Sequence, residues 1–154
     1  MWQRIQSIFL LLAAIALGLL FLPAMSFISI SGSQAALQQA DVGMLADGVL
    51  NIQDQVVFQI LTVLGAIASV AAIFMFKNRS LQITLSRLTL VASIVIMILS
   101  AVFFYLDYQL IEANTLISGD YGILSPVLGV LFSFLAIRNI KKDDQLVKSS
   151  DRLR

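Results

Sequence analysis

The stretch Gln55–Phe76, QVVFQILTVLGAIASVAAIFMF, decides the fold class, and the charged turn Lys77-Asn78-Arg79 follows it directly. It carries no charged residue and is as long as a helix that crosses the hydrocarbon core of a bilayer, which needs about 20 apolar residues. Three further stretches have the same character. The predicted membrane-spanning segments are residues 7–25, 55–76, 88–106 and 122–137, in a single membrane domain of residues 1–154 that ends in a basic tail, residues 138–154.

The composition indicates that lipid is the main solvent of this chain. Apolar residues make up 59% of it and charged residues 12%, whereas soluble domains average about 45–50% and about 25%. We therefore predict an all-α integral membrane protein, in which four transmembrane helices form a bundle with a small cap of loops at the outer end.

The charged residues alternate between the connections of the four segments. All ten basic residues lie before the first segment, between the second and third, or after the fourth. The other two connections contain acidic residues and no basic ones, namely Asp41, Asp47, Asp54, Asp107, Glu112 and Asp120. Short loops rich in Lys and Arg stay in the cytoplasm, so the pattern predicts that both termini are cytoplasmic.

The amino-terminal segment allows a second interpretation. Arg4, the apolar run Ile8–Leu22 and the small residues Ala24-Met25-Ser26 also resemble a signal peptide. Because apolar residues continue past Pro23, a spanning helix is the favoured interpretation.

The connections carry local signals of their own. Phe27-Ile28-Ser29-Ile30 has strand character, Asp47-Gly48 indicates a hairpin, and the composition of Ala35–Leu45 favours a short helix instead. Ser125-Pro126 resembles an N-cap followed by proline at the first helical position. The tail is either a helix that continues from the fourth segment along the headgroups or a solvated, frayed end.

Small residues recur at four-residue spacing within three of the segments. The sets are Ala14 and Gly18; Gly65 and Ser69; Ala68 and Ala72; and Ser125, Gly129 and Ser133. Such faces let helix backbones approach closely in lipid. Packing within the protein is the favoured interpretation, and a seam for another membrane protein is the alternative.

Several chemistries are excluded or disfavoured. The chain has no cysteine and no histidine, which excludes disulfides, thiolate catalysis and histidine-ligated haem. No ionisable residue lies inside a predicted segment, which argues against ion-coupled transport. Asp107, Glu112 and Asp120 could together bind a hard cation, but their spacing matches no cation loop, so a solvated acidic face is favoured. We predict no enzymatic activity, no cofactor and no nucleic-acid partner.

Three separated segments carry a resemblance to a known family. They are Met1–Ile8, MWQRIQSI; Phe76–Ile83, FKNRSLQI; and the tail from Ala136, AIRNIKKDD, through LVKSSDRLR. In these segments the chain resembles a bacterial four-span membrane family, domain of unknown function 4293. The resemblance implies location in the cytoplasmic (inner) membrane of a Gram-negative bacterium, and it implies no activity.

The same resemblance directs the search for a partner to the cytoplasmic side. The candidate contacts with a partner or with lipid headgroups are Arg4, Arg79, Gln82, Arg87, Arg138, Lys141, Lys142 and Arg152. The alternative interpretation is that these residues only anchor the helices at the headgroups.

The leading functional hypothesis is a non-enzymatic accessory or scaffolding subunit of a membrane complex, with membrane lipid as a partner and a membrane protein as a candidate partner. The alternative is a lipid- or small-molecule-binding protein or carrier. That alternative requires a lateral groove or a cavity between the spans, and the candidate residues that line a cavity are Ser69, Ser93, Ser100 and Ser133.

Overall fold

The computed structural model describes residues 2–31, 49–108 and 116–151, and the chain is mostly helical. Four α-helices form its body: α1 (Trp2–Leu19), α2 (Val56–Phe74), α3 (Arg79–Tyr108) and α4 (Leu124–Asp151). Three short strands lie between them, β1 (Ile28–Ser31), β2 (Val49–Leu50) and β3 (Leu116–Gly119). Single 3₁₀ turns, Ile52–Asp54 and Tyr121–Ile123, lead into α2 and α4.

The helices pack in the order of the chain. α2 packs against α1 and α3, α4 packs against α3, and α1 completes the ring by packing against α4. The strands collect the segments that follow α1, precede α2 and precede α4 at one end of the ring, which we call the sheet end. At the opposite end α1 and α3 begin and α2 and α4 finish, and we call it the basic end.

Many small and hydroxyl-bearing side chains lie between the helices, together with large ones such as Leu10, Leu17 and Ile96, and many other large apolar side chains face outward. The small buried residues include Ala13, Ala16, Ala68, Ala72, Ala92 and Ala136, together with Ser69, Ser93 and Ser133. The exposed residues include Ile8, Leu11, Ile60, Ile67, Val91, Ile98, Leu131 and Phe134. This is the reverse of a soluble protein and is what a lipid solvent favours. Three of the four small-residue sets therefore pack within the protein, as the sequence favoured.

The set on α1 is different. Gly18 is exposed, Ala14 is half-buried, and a Cβ added to Gly18 would meet no atom within 4 Å. Gly65 is buried, and a Cβ there would approach Leu17 to 2.9 Å and Ala92 to 3.3 Å. Glycine is thus required for close packing at position 65 but not at position 18.

Each pair of neighbouring helices is joined by a hydrogen bond from a side chain to a backbone carbonyl. Ser69 Oγ donates to Leu10 O at 2.6 Å between α2 and α1, and Thr89 Oγ1 donates to Gly65 O at 3.2 Å between α3 and α2. The remaining bonds are Ser125 Oγ to Ala16 O, Gln6 Nε2 to Asn139 O and Arg79 Nη1 to Asp143 O. These bonds fix the relative heights of the helices.

The sheet corrects the all-α prediction. β1 lies between β2 and β3, and both neighbours are antiparallel to it, with Ile28 opposite Leu50 on one side and Gly119 on the other. The strand character of Phe27–Ile30 is confirmed. The sheet forms because three chain segments that are distant in sequence meet where the helices end, and their backbone groups satisfy one another there.

The turn before β1 is held from both sides. Phe27 N donates to Leu50 O at 2.8 Å, Asp120 N donates to Phe27 O at 3.1 Å, and Ser26 Oγ donates to the Asp120 carboxylate at 2.6 Å. Below it the ring of Phe58 lies 5.7 Å from that of Phe27 and 5.5 Å from that of Phe103, measured between centroids. The predicted cap is therefore an ordered sheet seated on an aromatic cluster.

The two ends of α4 can be compared with the predictions made for Ser125 and for the tail. α4 begins at Leu124, after the 3₁₀ turn, and the Ser125 hydroxyl bonds to Ala16 O instead of capping the helix. The N-cap prediction for Ser125 is therefore wrong, because a contact with α1 competes for the same hydroxyl. α4 then continues as one helix to Asp151, which decides in favour of a helical tail.

The predictions for Ala35–Leu45 and Asp47-Gly48 lie outside the described residues. Met25 and Ser26 lie in an ordered turn that enters the sheet.

We expect Gly122→Ala to lower the free energy of unfolding by about 1–3 kcal/mol. A Cβ at this position would lie 2.4 Å from Ser26 O, a backbone atom that also accepts the Gly122 N–H. Gly18→Ala is the matched control, and its expected effect lies between zero and a gain of about 1 kcal/mol from helix propensity. Denaturant titration of both purified variants in the same detergent would measure this, and equal losses would refute the steric explanation.

Candidate functional site

The basic end brings together three helices that carry the predicted contact residues. Gln6 on α1 donates through Nε2 to Asn139 O on α4 at 3.2 Å. Arg79, the first residue of α3, pairs with Asp143 of α4, with Nη2 3.1 Å from Oδ2. The beginnings of α1 and α3 are thus fastened to the second half of α4.

Local sequence explains why α3 begins where it does. Asn78 follows the end of α2, and its Oδ1 accepts the Leu81 N–H at 3.3 Å, which is an N-cap bond. The cap places Arg79 at the first helical position, where its side chain reaches across to α4.

Arg79 is the residue most firmly held at this end. Besides the pair with Asp143, its Nη1 lies 3.8 Å from the Asp144 carboxylate and donates to Asp143 O at 3.1 Å. Its side chain is 25% exposed and that of Asp143 18%. A guanidinium held by two carboxylates and a carbonyl positions α4 against α3, so Arg79 is committed to a contact within the protein.

Gln82 is a correction to the predicted surface. It is 3% exposed and lies with Ser86, Thr89 and Ser93 on the inward face of α3. These four residues recur at spacings of three and four, which places them on one side of a helix. Because α3 is helical from Arg79 onward, Gln82 faces the interior.

The other predicted contact residues divide into two groups. Arg87, Arg138, Lys141 and Lys142 are exposed. Arg4 lies in α1, but its side chain is outside the described part of the structure, and Arg152 lies outside the described residues altogether.

The carboxyl-terminal part of α4 projects beyond its neighbours. Arg79 is the first residue of α3 and lies beside Asp143, so the residues after Asp143 extend past the start of that helix. From Asp144 to Asp151 the projection is about 12 Å long at 1.5 Å per residue. Leu146 and Val147 are exposed on it, 50% and 44% respectively.

Sequence reasoning missed the roles of Asp143, Leu146 and Val147. The alternation of basic and acidic residues in the tail is a signal for ion pairing, but it does not reveal that Arg79 is the partner. Leu146 and Val147 become notable only because the neighbouring helices end before them.

The four serine hydroxyl groups that were predicted to line a cavity have separate surroundings. Ser69 bonds to Leu10 O, Ser93 bonds to Thr89 O, and Ser133 Oγ is buried without a hydrogen-bond partner among the described residues. Ser100 instead borders an open groove of about 250 Å³ near the sheet end, whose other lining residues include Phe27, Phe104 and Pro126.

The predicted acidic face at the sheet end is only partly described. Asp120 accepts the Ser26 hydroxyl, whereas Glu112 and the Asp107 side chain lie outside the described part of the structure. Within residues 2–31, 49–108 and 116–151, no group of three acidic residues is placed to hold a metal ion.

This architecture indicates a multi-pass membrane protein. Among the described residues, three helices can cross a membrane by length and composition, namely Val56–Phe74, Arg79–Leu106 and Tyr121–Val147, and Ile5–Leu19 is a shorter apolar helix. The family model for a domain of unknown function (DUF4293) matches residues 2–153, so the chain belongs to the DUF4293 family. The resemblance of the three basic segments is thereby confirmed. No curated protein and no solved structure matches the chain.

A double-mutant cycle on Arg79→Gln and Asp143→Asn should give a coupling energy of about 0.5–1 kcal/mol, because the pair is only partly shielded from water. Arg138→Gln serves as a control for loss of charge at an exposed position of α4, with an expected change within about 0.5 kcal/mol. Unfolding in detergent at low and high salt would measure both quantities. A coupling energy of zero would show that the bridge does not hold α4 in place.

Proposed function

We propose that this protein is a four-span accessory or scaffolding subunit of a complex in the cytoplasmic membrane of a Gram-negative bacterium, without enzymatic activity of its own. The observation that carries the proposal is the projection of α4. It is a helical arm, anchored by Arg79 and extending past the start of α3.

The fourth crossing is assigned to α1. This helix has 18 residues, packs between α2 and α4, and exposes Ile8, Leu11 and Ile15 outward. Because its neighbours are candidate spans and its outer face is apolar, α1 is stable in the same hydrocarbon layer. The basic end then faces the cytoplasm, since loops rich in Lys and Arg are retained there.

The docking surface is the exposed side of α4 from Arg138 to Val147, which runs onto the arm that begins after Asp143. Arg138, Lys141 and Lys142 recur at spacings of three and four along one face, and all three are exposed. Leu146 and Val147 add apolar area near the tip. An apolar patch bordered by charges is typical of a transient protein interface, so a partner with an acidic rim is the matching class.

The carrier hypothesis receives less support. Ser69 and Thr89 bond to backbone carbonyls of neighbouring helices, so their hydroxyls contribute to packing and not to the lining of a ligand cavity. An enzyme would be indicated by clustered ionisable residues that face one pocket near the outer end, and there Asp120 accepts a hydrogen bond from the Ser26 hydroxyl.

The double variant Lys141→Gln, Lys142→Gln should reduce recovery of a stoichiometric partner at least about fivefold, which corresponds to about 1 kcal/mol. The measurement is a mild-detergent pull-down with cross-linking and mass spectrometry at native expression. Lys77→Gln removes a lysine at an exposed position away from α4 and should leave recovery unchanged. Equal recovery in all variants, or the absence of a stoichiometric partner, would refute the accessory role.

The topology has a separate test, because the chain contains no cysteine and a single introduced thiol can be labelled alone. Ser118→Cys at the sheet end should react with a membrane-impermeant maleimide added to spheroplasts. Ser149→Cys on the α4 arm should react only after the membrane is permeabilised. Labelling in the reverse pattern would invert the orientation, and labelling of both sites from outside would contradict the four-span arrangement.

A further inference from the structure

Arg87 lies at an unexpected height in the helical ring. Thr89 Oγ1 donates to Gly65 O, and Gly65 is the middle residue of α2 (Val56–Phe74). Arg87 precedes Thr89 by two residues, so it lies within about 3 Å of the midpoint of α2 along the helix axis. A charged side chain is therefore level with the centre of a neighbouring candidate span.

The contact between α3 and α4 gives a similar height for Arg87. Gly129 packs against Ser93, and Arg79 pairs with Asp143. Both contacts set the antiparallel register and place Arg87 level with Leu135. At this height the neighbouring helices expose Ile67 on α2 and Phe134 on α4, both of them large apolar residues. Arg87 thus interrupts an otherwise apolar belt.

The outward face of α3 changes character at this residue. On the side of Arg87 toward the basic end the face carries Ser80 and Thr84, both exposed, and on the other side it carries Val91, Ile94 and Ile98. The spacings are three and four throughout, so these residues form one continuous stripe. We call Ser80, Thr84 and Arg87 the polar notch.

Carboxylates do not neutralise this guanidinium within the described part of the structure. Asp143 and Asp144, the two described acidic side chains at the basic end, pair with Arg79, and the other two lie at the sheet end. A charge facing lipid is stable only when it reaches headgroups or water or meets an opposite charge. The notch therefore requires an anionic or strongly hydrated neighbour that does not come from these residues.

We propose that the polar notch binds the phosphate of an anionic phospholipid, whose acyl chains lie along Val91, Ile94 and Ile98. The guanidinium fork matches two phosphate oxygens. Thr84 Oγ1, which donates to Ser80 O at 3.0 Å, can exchange this bond within its own helix for a phosphate oxygen. A lipid fits better than a partner's carboxylate, because the stripe is polar toward the end where headgroups lie and apolar beyond Arg87.

Native mass spectrometry of the full chain in detergent tests the proposal with dioleoylphosphatidylglycerol and dioleoylphosphatidylcholine as probes. The wild type should prefer the anionic lipid about tenfold, in keeping with a charge-assisted bidentate contact. Arg87→Gln should reduce the preference to within about twofold, and Arg87→Lys should give an intermediate value because it keeps the charge but loses the fork. Arg138→Gln, with the same loss of charge on α4, should retain most of the preference.

A second measurement leaves Arg87 in place, so it stays informative if the Arg87 variants do not fold. A nitroxide on Leu88→Cys, next to the notch, should broaden the ³¹P signal of the anionic lipid more than that of phosphatidylcholine in mixed bicelles. A nitroxide on Ile67→Cys, at the same height on α2, should broaden both signals equally.

Three results would overturn the proposal. The first is an anionic preference in Arg87→Gln equal to that of the wild type. The second is broadening from position 88 that does not distinguish the two lipids. The third is loss of a protein partner from Arg87→Gln in a mild-detergent pull-down while lipid preference is unchanged, which would identify a partner's carboxylate as the occupant. The first two results do not bear on the α4 arm, so they separate a failure of this proposal from a failure of the proposed function.

Discussion

The structure depends on close approach of helix backbones in a solvent that gives apolar side chains no reason to associate. Lipid tails are as apolar as leucine, so packing and hydrogen bonds between helices must hold the ring together. The chain meets this requirement with small inward residues, such as Gly65 and Gly129, and with a bond from a side chain to a carbonyl at each interface. Because these carbonyls belong to particular turns, the bonds also fix the vertical register of the helices.

The contacts at the two ends of the helical ring follow from this register of the helices. At the sheet end it brings the segments beside β1 close enough to share backbone hydrogen bonds, and the Phe27–Phe58–Phe103 cluster closes the ring beneath them. At the basic end it sets Arg79 opposite Asp143, so that the following residues of α4 extend past the start of α3. The register also places Arg87 among apolar neighbours. The α4 arm and the polar notch are therefore consequences of helix heights, which no single segment encodes.

Particular residues show how far the sequence could be interpreted. α2 was predictable because Val56–Phe74 carries no charged residue and is bounded by Asp54 and Lys77, and strand character at Ile28 was visible in the sequence Phe27-Ile28-Ser29-Ile30. Gln82 was misjudged because, at the boundary between a turn and a span, a polar residue is equally compatible with a surface and with an interior hydroxyl stripe. Ser125 was misjudged because a hydroxyl suited to an N-cap is equally suited to a neighbouring carbonyl, and only packing decides between them.

The sequence by itself determined the solvent of this protein, the number of apolar helices, the separation of basic and acidic connections and the family to which the chain belongs. These properties depend on composition and on local periodicity, which are read one segment at a time. The tertiary structure alone decided which polar residues face inward, that three distant segments pair as a sheet, and that Arg79 pairs with α4 whereas no described acidic side chain pairs with Arg87. Those outcomes depend on distances between residues far apart in the chain. Such distances are defined only once the helices pack against one another at particular relative heights.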